Sequence, residues 1–165
     1  MLDISRAVIE GGALSIVFLI LMISTLAYNP RVWLQDYPMD IQQMALPQTP
    51  SEKKKLRVIG SFTFLFALVP FVISLMLDGD QITYWETFFH FYIVFSIVSF
   101  AADLIILDWI VFCLITPKFI IIPGTEGAKG YKDYMFHFIG FLKGAVILGV
   151  FSLILAGLRV ALTYL

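Results

Sequence analysis

Apolar residues fall into four long runs separated by short polar stretches. The first, GGALSIVFLILMISTLAY, is uncharged and close to the roughly 20 residues needed to cross the hydrocarbon of a bilayer. It predicts a transmembrane helix at about 7–28. Asp3, Arg6 and Glu10 stand where a cleaved signal would carry only basic residues, so this run is expected to stay in the mature chain. The next stretch, NPRVWLQDYPMDIQQMALP, alternates Trp33, Tyr37, Ile41 and Met44 with Arg31, Asp36 and Asp40, a mixture suited to the headgroup level. It predicts an interfacial segment within a loop at 29–56.

Thr49-Pro50-Ser51-Glu52 has the form of a capping box with proline in the first helical turn. The helix that follows predicts a second span at about 57–77. Within it Gly60, Thr63, Ala67, Pro70 and Ser74 recur at steps of three and four and share one face, small enough for close helix approach. Asp78-Gly79-Asp80 predicts a tight turn. A third span is expected at about 84–116, where Tyr92, Ser96, Ser99 and Asp103 form a polar stripe. As an α-helix, Phe88 to Thr116 would rise about 43 Å, more than the hydrocarbon needs. That surplus predicts either a tilted, protruding helix or a break near Ala101 to Asp103.

A glycine-rich loop at 117–133 contains Gly124, Gly127 and Gly130, and Asp133 is placed to cap a fourth span at about 136–162. There Ala145, Gly149, Ser152, Ala156 and Arg159 share a face, while Gly140 and Gly144 form a separate GxxxG pair. The pattern therefore predicts an all-α integral membrane protein. It is a four-transmembrane-helix bundle with an interfacial segment between helices 1 and 2, forming one membrane domain over 1–165.

Composition strengthens this picture: 60% of residues are hydrophobic and 14% charged, against roughly 45–50% and about 25% in soluble domains. The formal net charge of -1 and the lack of a clustered basic face exclude nucleic acid as a partner. The lipid bilayer is the expected one. With Cys113 as the single cysteine, no intramolecular disulfide or multi-cysteine zinc site can form. Arg31, Lys53, Lys54, Lys55, Arg57, Lys118, Lys129 and Lys132 lie in or beside the two long loops, whereas Arg6 and Arg159 lie at the other end. The positive-inside rule then puts both loops in the cytoplasm and both termini outside, in a plasma (inner) membrane.

Chemistry enters with the ionisable residues. A carboxylate at membrane depth costs a few kcal/mol by insertion scales, which makes Asp103 the first candidate for an ion or substrate pathway. Ser99, Ser96 and Tyr92 lie on its face, and Asp108 is about 140° away around an α-helix, within reach of Lys143 or water. Arg159, Glu10, Glu86 and Lys143 are candidates for structural ion pairs, with Arg159 expected to meet Glu10 or Glu86. At the cytoplasmic face Asp36, Asp40, Glu126, Asp133 and His137 could form an enzyme site if the two loops fold together. His90 and His137 are expected at opposite ends of the bundle, which leaves no pair for a haem, and no cofactor or metal site is expected.

Three functions remain open. A transporter or channel for a proton, cation or small solute would centre on Asp103, as a homo-oligomer or with a partner membrane subunit. An accessory subunit of a larger complex would need only the packing surfaces. A membrane enzyme would act on a lipid headgroup from the loops. An enzyme is the less favoured of these.

Overall fold

The computed structural model describes residues 2–79 and 82–164; Asp80, the last residue of the expected turn, lies outside them. The order is α1 (Ile4–Tyr28), a 3-10 segment (Pro30–Asp36), α2 (Met39–Met44), α3 (Pro50–Phe66) and α4 (Val69–Leu77). Then follow α5 (Tyr84–Ile97), a π-helical segment (Val98–Ile115), a 3-10 turn (Lys129–Lys132), α6 (Tyr134–Ala161) and a closing 3-10 turn (Leu162–Tyr164). No strand occurs among the described residues. Four helical stretches are long and apolar enough to cross a bilayer: Ile4–Tyr28, Pro50–Leu77, Tyr84–Ile115 and Tyr134–Tyr164. The protein is an all-α integral membrane bundle.

The four spans each start where a side chain can satisfy free N–H groups, whereas α2 and α4 have no side-chain cap. Asp3 accepts from Arg6 N at 3.0 Å, Thr49 and Glu52 close the capping box, and Asp133 accepts from Phe136 N at 2.9 Å. Span two is not continuous. Pro70 has no N–H to donate to Phe66, and its ring would crowd that carbonyl, so α3 ends at Phe66 and α4 restarts at Val69. The small face of this span is accordingly split: Pro70 and Ser74 are buried, whereas Gly60 is exposed with nothing within 4 Å of a Cβ placed on it.

Span three takes up length by a change of winding. It does not break near Ala101 to Asp103 but changes winding at Val98, and its last bond runs from Thr116 N to Val111 O, five residues back. More residues per turn means less rise per residue, so a 32-residue span is shortened without a gap. The wider winding also stacks residues five apart on one face. Thr116, at φ 49°, ends the segment in the left-handed region.

The two long loops interlock at one end of the bundle. The Tyr37 hydroxyl donates to Ile120 O at 2.9 Å, Ile122 N donates to the Tyr131 hydroxyl at 2.9 Å, and Gly130 N donates to Asp40 Oδ2 at 2.8 Å. Burial and then the neighbouring Tyr131 push the Tyr37 phenol upward, which keeps it a hydroxyl that can donate. Gly130 is required here: a Cβ would lie 2.2 Å from Asp40 Oδ1. Gly124 and Gly127 turn the loop at φ 87° and 82°. Around these contacts Leu26, Leu34, Ile41, Phe112, Ile120 and Ile122 form one core, and a second core around Ala7, Phe91, Val94, Leu155 and Ala156 fills the half nearer the termini.

Candidate functional site

Against the loop-side core, walled in part by its Leu26, Tyr37, Leu107 and Phe112, lies a cavity of about 460 Å³. Asp103 and Asp108 reach it from the π-helical segment, His137 from the first turns of α6, and Asp36 from the end of the 3-10 segment. Six aromatic rings stand in its wall: Phe18 of α1, Trp33 and Tyr37 of the first loop, Phe112 of span three, and Phe136 and Phe141 of α6. Thr63 contributes from α3.

The change of winding explains why both carboxylates arrive. In an α-helix residues five apart diverge by about 140°, which would turn Asp108 away from Asp103. With bonds spanning five residues they lie one turn above the other on a shared face. Asp108 meets neither Lys143, which is exposed, nor water alone: its Oδ1 lies 3.1 Å from Nδ1 of His137. The contact joins the π-helical segment to the first turns of α6. His137 is 7% exposed, and Nε2 has no hydrogen-bond partner among the described residues.

Charge in the cavity is unbalanced. Asp108 has His137, but neither Asp103 nor Asp36 makes an ion pair among the described residues. Desolvation pushes the Asp36 carboxyl above the usual carboxylate range, opposed in part by a hydrogen bond from Gln35. No three His, Cys, Asp or Glu side chains of the described residues are grouped so that they could hold a metal ion. Acids that are spread around an aromatic cavity can attract a cation without caging a bare one.

The other sequence candidates have separate places. Tyr92, Ser96 and Ser99 are half-buried and do not line the cavity, because the stripe that Tyr92 and Ser96 begin in α5 is not continued to Asp103 once the winding changes at Val98. Tyr92 stacks on Phe88 with ring centroids 5.7 Å apart. Asp40 is occupied by Gly130 N and Ile41 N, Glu126 accepts from Gly124 N at 3.0 Å, and Asp133 caps α6. Asp36 and His137, expected at the loop face, share the cavity with Asp103.

At the opposite end the ionisable groups are partnered. Arg6 bonds Glu10 at 2.6 Å and the carboxylate of Asp78, and Glu10 also meets Nε2 of His90 at 3.0 Å. Glu86 accepts from its own N-cap, Thr83. Among the described residues Arg159 takes no carboxylate: its guanidinium donates to the Ser74 hydroxyl and to the carbonyls of Ser74, Asp78 and Gly79. Ser74 O already accepts from Asp78 N at 3.0 Å, while the Asp78 and Gly79 carbonyls lie past the end of α4, and a buried guanidinium can fill several acceptors at once.

The partnership of Asp108 with His137 had no signal at the spacing of an α-helix. The surplus length of span three was the available sign that the winding differs. Comparison with protein-family models, with curated proteins and with solved structures gives no match.

Proposed function

We propose that the protein is a membrane transporter or channel for a proton, cation or small cationic solute, with Asp103 as the exchanging carboxylate and the Asp108–His137 pair beside it. The observation that carries this reading is the gathering of Asp36, Asp103, Asp108 and His137 on one aromatic-walled cavity inside the span of the bundle. Asp36 stands at the loop end as the first acid met from that side. The distribution of basic residues supports loops in the cytoplasm of a plasma (inner) membrane and termini outside. Four helices enclose little room for a through-path, which supports a homo-oligomer or a partner subunit. Gly140 and Gly144, which have open space beyond them, allow close approach of another helix.

The test is flux in vesicles reconstituted with the purified chain and loaded with a pH-sensitive dye. An imposed pH gradient should dissipate faster than in empty vesicles, and Asp103→Asn should return the rate to that of empty vesicles while the variant still elutes as a folded species. Unchanged flux in Asp103→Asn would overturn the reading.

One observation favours a second reading. His137 and Asp108 both line the cavity, and a histidine beside a carboxylate is the arrangement of a general base. A membrane enzyme acting on a lipid headgroup would use His137 in that role, with water as nucleophile. Release of a water-soluble headgroup from phospholipid vesicles, lost in His137→Gln, would favour it over transport.

A further inference from the structure

The charged groups that open span two are sorted by the way α3 is anchored. Glu52, the one acid between Pro50 and Leu77 in the sequence, is buried, pairs with Arg31 at 2.9 Å and closes the cap on Thr49. Lys55 is tied to the end of α1, donating to the Tyr28 hydroxyl at 2.8 Å with its ammonium 4.8 Å from the centre of that ring. These contacts fix the rotation of the helix, and Lys53, Lys54 and Arg57 are left exposed. None of the three makes an ion pair among the described residues.

The same face continues into the apolar part of the span. At the pitch of an α-helix Lys53, Lys54, Arg57, Gly60, Ser61 and Phe64 lie within about 120° of one another. All six are exposed, and nothing lies within 4 Å of a Cβ placed on Gly60. Along the helix the order is therefore cations, then a shallow seat one turn further on at Gly60 and Ser61, then the Phe64 ring. A phospholipid presents the same order, with phosphate at the headgroup level, then glycerol, then acyl chains. Three cations without a counter-charge select a headgroup of net negative charge, as basic clusters at the mouth of a span attract anionic lipid. Lys118 and Lys129 are exposed too, but they stand in a loop with Glu126 and Asp133 rather than on a spanning helix.

We propose that this face of α3 is a binding site for an anionic phospholipid, its phosphate held by Lys53, Lys54 and Arg57 and its glycerol seated against Gly60 and Ser61. The site is separate from the cavity and does not depend on the transport reading. The experiment is native mass spectrometry of the full chain in mild detergent. Phosphatidylglycerol and phosphatidylcholine with identical acyl chains are added in equal amounts at one ionic strength, and the adducts of each lipid are compared.

Phosphatidylglycerol adducts should exceed those of phosphatidylcholine by about tenfold or more. The combined variant Lys53→Gln, Lys54→Gln, Arg57→Gln should bring the two lipids to parity. Gly60→Leu keeps every charge, fills the seat and meets no other atom of the chain, so it should lower the phosphatidylglycerol adducts severalfold. Lys118→Gln with Lys129→Gln should leave the preference unchanged. Equal adducts of the two lipids on the unaltered chain would overturn the proposal. An equal loss in the Lys118 and Lys129 variant would mark diffuse charge rather than a site, and unchanged adducts in Gly60→Leu would show that the lipid does not sit on this face. Inorganic phosphate that abolishes the preference at the same ionic strength would make this a phosphate site and not a lipid one. Should the combined variant fail to fold, the ranking of the two lipids and Gly60→Leu decide the matter.

Discussion

The two ends of this bundle treat the same kinds of residue in opposite ways. Near the termini Arg6, Glu10, Asp78 and His90 form a connected set of ion pairs, and Arg159 closes the carbonyls at the end of α4. In the cavity on the loop side three carboxylates and one histidine surround open space, and of these only Asp108 and His137 pair, whereas outside the cavity Arg31 and Glu52 form a part-buried ion pair at 2.9 Å. Buried charge that is fully partnered holds helices in register. Buried charge left without a partner costs stability and is retained where a ligand or proton supplies what is missing. The contrast identifies the terminus end as scaffold and the loop end as the place where chemistry is expected.

The largest effect on stability should come from the scaffold. Arg159→Met keeps the apolar stem but leaves the Asp78 and Gly79 carbonyls without their donor. It should cost roughly 3 kcal/mol, read as a lower thermal unfolding midpoint in detergent. A midpoint equal to that of the unaltered chain would show that these carbonyls are satisfied by other means and would weaken the contrast.

The loops come next. Gly130→Ala puts a methyl 2.2 Å from Asp40 Oδ1 and 2.8 Å from Pro38 Cβ, neither of which can move without disturbing the join between the loops. The cost should be about 2 kcal/mol, accompanied by faster proteolysis within 117–133. Gly144→Ala, with nothing within 4 Å, serves as its control and should change neither quantity. If both variants behave alike, the two loops are not held together through Asp40.

Much of this arrangement could be read in the sequence, and the exceptions share a cause. The four spans, the Thr49–Glu52 capping box, the cap at Asp133 and the turns at Gly124 and Gly127 depend on local chemistry, which neighbouring residues display directly. What escaped depends on helix winding. Periodicity at 3.6 residues places Asp108 on a different face from Asp103, and only bonds from i to i+5 bring them together. The same assumption extended the stripe of Tyr92, Ser96 and Ser99 to Asp103. Arg159 escaped for another reason: its partners are backbone carbonyls, which carry no side-chain signature. Asp103 itself stood out because a carboxylate within an apolar run needs a reason to be there.

A smaller effect should appear at the rim of the cavity. Desolvation raises the Asp36 carboxyl in the folded chain, so folding favours its neutral form. Its contribution to stability is complete below the ordinary carboxylate value and is lost as pH rises through the raised folded value. Asp36→Asn cannot ionise. Measured across a pH series, the variant should therefore gain stability relative to the unaltered chain as pH increases. A constant difference at every pH would place Asp36 in ordinary solvent.

The contrast between the two ends is tested most directly by thermal unfolding of two matched variants in the same lipid nanodiscs, Glu10→Gln and Asp103→Asn. Each replaces one carboxylate by an amide of similar size. Glu10→Gln removes the acceptor shared by Arg6 and His90 and should lower the midpoint by several degrees. Asp103→Asn removes a charge without an ion partner and should leave the midpoint unchanged or raise it. A fall in Asp103→Asn as large as that in Glu10→Gln would contradict the division, because it would make Asp103 a structural group like the acids at the other end.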